Sequence, residues 1–527
     1  MTEVFLKYKK YVLFVLVGAI FLILSFLKNG FYVDEIYSYG HANSSNGAYF
    51  EKHFQENAEL NYKDKFYHQW LDGSLFNEWL TVQKDEAFHY SAISENLKQS
   101  VHPPLFYYLL HTICSLVPET FHKALGLGLN FVVLVLLFYF FYRLAKEVFS
   151  DEKKAFVVTA FFMFVPVVLQ MQIYIRMYLL LMALMTGLWW QVFAFFREEK
   201  ISLKRLLFIF CLAFLSFLTH YYALIMVFFL TATFCIVLLL QKKYLKSVAL
   251  GAIILLSLMI FFWLFKEAYA VLFFSERGEE SKLVVAGLNW PFVLDTIAFF
   301  WLQICRSLIG ISDILSWIIL PFVLVFLICA KLNLKGGILL FGGGIAGLII
   351  ALLAPNMGEF NGRYYGGIMV PLFLVMAIAA DNLFKKKING KIVFVTWVLF
   401  SSFSLSQMMQ SPYLQRDSEV KQICEITKGK SVVLQRQLFV SIFQLAPCWQ
   451  DASKVYVIGA NETPENILNS DEAENGTVFI QEVGQGRKKY LSHALYAYNQ
   501  KLQLEYIGMY QSNKILYDVY VKKERTF

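Results

Sequence analysis

Two adjacent carboxylates, two arginines and two histidines stand out because each lies where a long apolar run begins or ends. Asp34 and Glu35 follow the first run, and His102 precedes Pro103-Pro104. Arg176 and Tyr178 lie between two later runs, His220, Tyr221 and Tyr222 between another pair, and Arg363, Tyr364 and Tyr365 open a run near residue 366. Ionisable groups near membrane depth are costly and by default mark a functional pathway. A carboxylate can take a proton from a hydroxyl as a general base. Guanidiniums, with imidazole and phenol donors beside them, hold phosphate oxygens. Taken singly, each residue has an ordinary reading: Asp34-Glu35 a solvated helix end, His102 a satisfied interfacial histidine, Arg176 and Arg363 snorkelling anchors. Tyr221 and Tyr222 suit an aromatic belt. What favours chemistry is their convergence on one face, since an acidic base beside a cationic pocket suits transfer from a phosphorylated donor.

These residues must be positioned by membrane-spanning helices. Of 527 residues, 58% are hydrophobic and 16% charged, and the mean hydropathy is +0.52. A soluble domain carries about a quarter charged residues. Apolar runs recur from Tyr11 to Met409, many reaching the roughly 20 residues that cross a bilayer. The net charge of +8 comes from short clusters between the runs: Lys7, Lys9 and Lys10; Lys153-Lys154; Lys204-Arg205; Lys242, Lys243 and Lys246; Lys331 and Lys335; Lys385 to Lys387. That is a cytoplasmic-loop bias, not a nucleic-acid stripe. The basic N-terminus with its apolar run lacks a small-residue cleavage site and reads as an uncleaved first span.

The bias places the N-terminus inside. Residues 29–101 then form a long outer loop, longer than a simple connector and of the kind that carries function. The stretch 105–117 is short and rich in His and Tyr. Counting it as a span would send Arg143, Lys146, Lys153 and Lys154 outside, so 102–118 reads as a juxtamembrane helix. Further spans fall near 125–142, 155–172, 177–196, 206–220, 223–240, 248–265, 313–330, 336–354, 366–380 and 392–409. The expected fold is therefore an α-helical polytopic membrane module over 1–409. It has about eleven spans, within a range of eleven to thirteen, and 291–311 dips into the membrane from outside. Gly343 and Gly347, one turn apart, permit close helix packing. Residues 410–527 read as a small extracytoplasmic α/β domain with strands at 431–435, 454–458, 477–481, 502–506 and 515–521, and a helical stretch over 487–503. Five of the seven cysteines lie in apolar segments; Cys424 and Cys448 lie in the tail, where a disulfide is open. Asn43-Ser44-Ser45, Asn461-Glu462-Thr463 and Asn475-Gly476-Thr477 fit the glycan-acceptor pattern, a weak signal.

The run Phe31-Tyr32-Val33-Asp34-Glu35-Ile36-Tyr37-Ser38 resembles the acidic motif of the GT-C superfamily of membrane glycosyltransferases. His102-Pro103-Pro104-Leu105-Phe106-Tyr107-Tyr108 resembles the motif that closes the first outer loop in that superfamily. Arg176-Met177-Tyr178, Thr219-His220-Tyr221-Tyr222 and Gly362-Arg363-Tyr364-Tyr365 recur in similar order in its bacterial branch related to protein O-mannosyltransferases and aminoarabinose transferase. The similarity in order covers residues 1 to about 409. It implies a GT-C-like fold, a cell-membrane location with the site outside, and a polyprenyl-phosphate sugar as donor. It also implies Asp34 as general base with inversion at the sugar carbon, and Glu35 beside it orienting Asp34 or binding acceptor. Arg176, Arg363, His102 and Tyr178 would hold the leaving phosphate, and His220 and Tyr365 would contact acceptor or sugar. Some members use a divalent metal. No second acidic motif appears near Arg176, so no metal and no other cofactor is expected.

Two other classes fit less well. A lipid-linked glycan flippase or transporter predicts ionisable groups in mid-span, discontinuous helices and inverted repeats; the polar residues here cluster at outer ends and no repeat is evident. A polysaccharide polymerase or ligase shares the carrier but does not call for the Asp-Glu and His-Pro-Pro pair. The acceptor (glycan, lipid or protein) is not written in the sequence.

Overall fold

The computed structural model describes every residue except 1, 46, 55–65, 67, 99–101, 275, 354–360, 385–388, 415–418, 460–461, 484–498, 513–514 and 524–527. Lys385 to Lys387, Asn461 and most of the helix expected over 487–503 lie outside the described residues. The chain forms two compact units, one of Met1–Ser25, Val101–Phe106 and Leu127–Ser411, the other of Phe26–Ser100, Tyr107–Gly126 and Pro412–Phe527.

The first unit is helical. Among the described residues, nine helices of the chain are long and apolar enough to cross a membrane: Tyr8–Leu27, Lys123–Phe149, Tyr178–Arg197, Tyr222–Leu240, Tyr244–Leu264, Trp290–Leu308, Leu334–Leu353, Gly362–Phe384 and Gly390–Met408. The chain is a multi-pass membrane protein. Every segment expected to span is helical, with three differences in detail. The segment 155–172 is two helices, Glu152–Phe162 and Pro166–Ile173, bent by 62°. The bend has a local cause. Pro166 starts the second helix, its ring pushes Val165 out of the helical region to φ −65°, ψ 146°, and proline cannot continue the hydrogen-bond ladder. The expected spans 206–220 and 313–330 form the shorter helices Leu203–Phe217 and Asp313–Cys329. The stretch expected to dip, 291–311, forms a 19-residue helix of spanning length. Asp295, Gln303 and Arg306 dilute its apolar pattern, but what keeps it out of the expected spans is that one more span would break the alternation of sides set by the basic clusters.

Gly343 and Gly347 do what their spacing suggests. A Cβ on Gly343 would stand 2.6 Å from Pro371 Cγ, and one on Gly347 would overlap the Phe300 ring. Leu334–Leu353 therefore packs backbone-close against Gly366–Phe384 and Trp290–Leu308. Cationic side chains finish helices at their C-terminal carbonyls, where the helix dipole favours them. Lys246 Nζ donates to the carbonyls of Phe195 and Glu198 at 2.6 and 2.5 Å, and Lys335 Nζ to those of Glu147 and Val148, both at 2.8 Å.

The second unit joins the outer loop to the tail in one sheet. Its strands are β1 Trp70–Asp72, β2 Ser431–Arg436, β3 Lys454–Gly459, β4 Val478–Val483, β5 Leu504–Ser512 and β6 Ile515–Lys522, in the order β1-β3-β2-β4-β6-β5. β2 pairs parallel with β3 and β4, whereas β1, β5 and β6 pair antiparallel. β2 is buried along its whole length, its polar Ser431, Gln435 and Arg436 included, as suits a central strand with parallel partners on both sides. Val433, Ile458, Phe479 and Tyr520 meet Leu468, Leu502 and Leu504 in the core. The five tail strands are those read from the sequence. β1 is not, because three residues in a polar loop carry no period. Cys424 and Cys448 form a disulfide that closes a loop of sequence separation 24, tying the Val420–Thr427 helix to the Ala446–Trp449 helix. The Asn43 side chain is buried and donates to the Leu80 carbonyl at 2.8 Å, which removes that residue as a glycan acceptor.

Candidate active site

In the first unit, three turns and one helix end bring the expected phosphate-binding residues together. Arg176 lies in the turn between Pro166–Ile173 and Tyr178–Arg197. Asn130, on the Lys123–Phe149 helix, holds that turn by donating to the carbonyls of Gln172 and Tyr174 at 3.1 and 2.9 Å. Arg176 is only 6% exposed, and its guanidinium meets His102 Nε2 at 3.0 Å. His220 occupies the turn after Leu203–Phe217 and stacks obliquely on Tyr178 and Tyr222. Arg363 sits in the short 3-10 turn Asn361–Tyr365. It donates to the hydroxyls of Tyr174 and Tyr364 at 3.1 and 3.2 Å and lies over the rings of Tyr178 and Tyr364.

The electrostatics of this cluster are readable from His220. Its Nδ1 accepts the Tyr222 backbone N–H at 3.0 Å, so the neutral ring carries its proton on Nε2. Burial, and after it the charges of Arg176 and Arg363, push its pKa down to about 3. The ring is therefore neutral at any ordinary working pH, and both guanidiniums lie close enough to act on it. In the unfolded chain the same histidine titrates near 6.5. Because the folded value is depressed, stability on this account is full above about pH 6.5 and falls as pH drops towards 3, by at most about 1.4 kcal/mol per pH unit. Thermal melts of the purified protein between pH 7.5 and 5 should show wild type losing more stability than His220→Gln. Equal losses would remove His220 as a source of acid sensitivity.

Tyr365 is brought to the same turn but faces differently. It is 1% exposed, its ring packs on Phe300, and its hydroxyl has no hydrogen-bond partner among the described residues. Tyr178 is likewise buried, stacked at 5.8 Å on Tyr174. The sequence places Tyr364 beside Arg363 without giving it a role, and does not point to Tyr174 or Asn130 as site residues. Tyr174 had a signal, since it precedes Arg176 by two residues in a turn already under suspicion. Asn130 had one too, as a polar residue inside an apolar run.

The carboxylate pair belongs to the second unit, at the start of the helix Val33–Asn43. Tyr32 caps that helix, and Asp34 and Glu35 occupy its first turn, where negative charge is favoured by the dipole. Asp34 is half-buried, and its carbonyl accepts the Ser38 hydroxyl at 3.0 Å. Glu35 is fully buried; its Oε2 accepts the Tyr32 N–H at 2.6 Å and the Lys28 ammonium at 2.8 Å. Lys28, at the end of the first long apolar run, is thus a buried partner. Among the described residues, no group of three or more His, Cys, Asp or Glu side chains is arranged to hold a metal ion.

No family model matches the chain, and no curated protein sequence matches it. Among solved structures it is similar to ArnT from Cupriavidus metallidurans bound to undecaprenyl phosphate, with 10% identity and a TM-score of 0.45 over 97% of this chain and 98% of that one. It is also similar to the archaeal oligosaccharyltransferase AglB from Archaeoglobus fulgidus in complex with an inhibitory peptide and a dolichol-phosphate, with 12% identity and a TM-score of 0.40 over 99% of this chain and 75% of that one. An A. fulgidus oligosaccharyltransferase in complex with Zn and sulfate is similar at 12% identity and a TM-score of 0.39, over 80% of this chain and 65% of that one. Likenesses at this level say nothing about donor, acceptor or catalytic groups.

Proposed function

We propose that this chain is a membrane glycosyltransferase of the GT-C kind. It would take a sugar from a polyprenyl-phosphate donor on the extracytoplasmic face and pass it to an acceptor hydroxyl. The observation that carries the reading is the Arg176–Arg363 cluster. Two guanidiniums, a neutral histidine and tyrosine hydroxyls within one partly dehydrated nook are a site for phosphate oxygens. They lie in turns and at helix ends, not in mid-span, which favours this reading over a transporter. In the reaction, Asp34 accepts the proton of the acceptor hydroxyl as its oxygen attacks the anomeric carbon. The bond from that carbon to the phosphate oxygen breaks with inversion, and the phosphate stays on the lipid. Its new charge falls to Arg176 and Arg363, with His102 and Tyr178 donating beside them. Glu35 orients the turn that carries Asp34, and His220 and Tyr365 contact sugar or acceptor.

The disulfide Cys424–Cys448 supports an oxidising, extracytoplasmic place for the tail. Because β1 from the outer loop extends the tail sheet, we assign acceptor choice to loop and tail acting as one body. The test of the function is consumption of synthetic polyprenyl-phosphate sugars by the purified protein with membrane-derived acceptor. One donor should be converted to polyprenyl phosphate. Movement of donor across vesicles with no bond cleaved would instead make the protein a transporter.

A further inference from the structure

The unit that holds Asp34 contains a buried ion pair that the reaction itself does not use. Lys28 and Glu35 are both completely inaccessible to solvent, and their charged atoms are 2.8 Å apart. The same ammonium donates to the Tyr413 carbonyl at 2.5 Å, 385 residues further along the chain. Next to it, the Asn29 N–H donates to the Leu414 carbonyl at 3.1 Å, and the Tyr32 and Tyr413 rings meet edge-to-face at 5.4 Å. The Lys123 ammonium holds the Lys28 carbonyl. From the other end, Glu35 reaches back to the backbone N–H of Tyr32, the residue that caps the helix.

Stability alone does not account for this pair. Taking two charges out of water costs about as much as their attraction returns, and apolar replacements of similar volume are often neutral or better. What a fully buried pair with further hydrogen bonds supplies is direction. The stretch from Lys28 to Asp34 passes through Gly30, which has no Cβ to restrain its backbone. The Lys28–Glu35–Tyr32 closure fixes both ends of that stretch, and with it the first helical turn. A catalytic group misplaced by about 1 Å can cost 10²-fold in rate.

We propose that Lys28 is a positioning residue for Asp34: anchored on the tail carbonyl of Tyr413, it holds Glu35 and thereby the turn that presents the base. The inference rests on Asp34 being that base. It also makes the tail part of the catalytic unit, since the anchor comes from the segment that follows the helix Gly390–Met408.

The test is a set of full-length variants assayed for transfer, donor KM and thermal stability. Lys28→Met with Glu35→Gln removes both charges together and leaves no unpaired ion. It should melt near wild type and keep donor KM within about twofold, yet lose about 10²-fold in kcat. In an Asp34→Asn background the same pair of changes should have no further effect, because residues acting as a unit are not additive. Lys28→Arg keeps the charge but not the compact reach of an ammonium; it should fold and lose about tenfold in kcat, and it decides the matter if the double variant does not fold. Wild-type kcat in either folded variant, with Asp34→Asn inactive, overturns the positioning role and leaves the base reading intact. Wild-type turnover by Asp34→Asn overturns both.

Discussion

Asp34→Asn lowers kcat for sugar transfer by about 10³-fold or more, within the upper range for loss of a general base, while donor KM stays within about threefold of wild type. The expectation follows from what the substitution changes and what it keeps. Asn has the same shape, and at the second position of the helix Val33–Asn43 it still suits a helix N-terminus. The loss of negative charge from the first turn costs about 0.3–1 kcal/mol of dipole interaction, too little to unfold the unit. The amide has no basic oxygen able to take up a proton, so the acceptor hydroxyl would have to attack unassisted. Steady-state kinetics with donor in excess, together with a direct donor-binding measurement, separate the two effects. A variant that binds donor and does not turn it over supports the base assignment. A variant that turns over at the wild-type rate removes Asp34 from the chemistry, and a transporter becomes the better account of the cationic cluster.

The parts of this protein that the sequence made visible are those set by local pattern. Apolar period and length exposed the helices, and lysine distribution exposed their loops. Gly343 and Gly347 announced a close crossing because only a missing Cβ permits it. The five tail strands were visible as short β-branched runs between polar turns. What escaped was either decided by distant parts of the chain or hidden inside an otherwise apolar stretch. β1 is a strand only because β3 lends it an edge. The break at Val165–Pro166 was hidden by apolar residues on both sides, which satisfy a hydropathy window whether or not the helix is straight. Trp290–Leu308 shows in the sequence as an apolar stretch but stays out of the span count because one more span would break the alternation of sides set by the basic clusters. At the site, residue types and spacing were enough to nominate His102, Arg176, His220 and Arg363. They could not show that Tyr174 and Tyr364 receive the Arg363 hydrogen bonds. Nor could they show that Lys28 would be drawn to Glu35 and to a carbonyl from the tail. Those contacts are decided by tertiary packing, for which seven residues of separation or 385 look alike.

Arg176→Ala and Arg363→Ala should each reduce kcat/KM by about 10²- to 10³-fold, the scale of losing one preorganised donor to a developing charge, with most of the loss in kcat. The direction follows from charge. A sugar phosphodiester carries one negative charge, whereas the polyprenyl phosphate that leaves approaches two. A guanidinium therefore interacts more strongly with the transition state than with bound donor, and such differential binding appears in kcat. Lysine should rescue poorly at Arg363, which lies 5.1 Å from the Tyr364 ring centre and forks to two phenol oxygens, a planar fit that an ammonium cannot copy. Each variant should also bind polyprenyl phosphate, as a product inhibitor, more weakly by a larger factor than it binds donor. Removing either arginine takes away one of the charges that depress His220, so its pKa moves back towards the ordinary histidine value in both variants. The contrary result would be equally informative. If both variants raise KM and leave kcat untouched, the arginines hold donor and transition state alike. They would then anchor the carrier lipid, and stabilisation of the leaving phosphate would have to come from other groups.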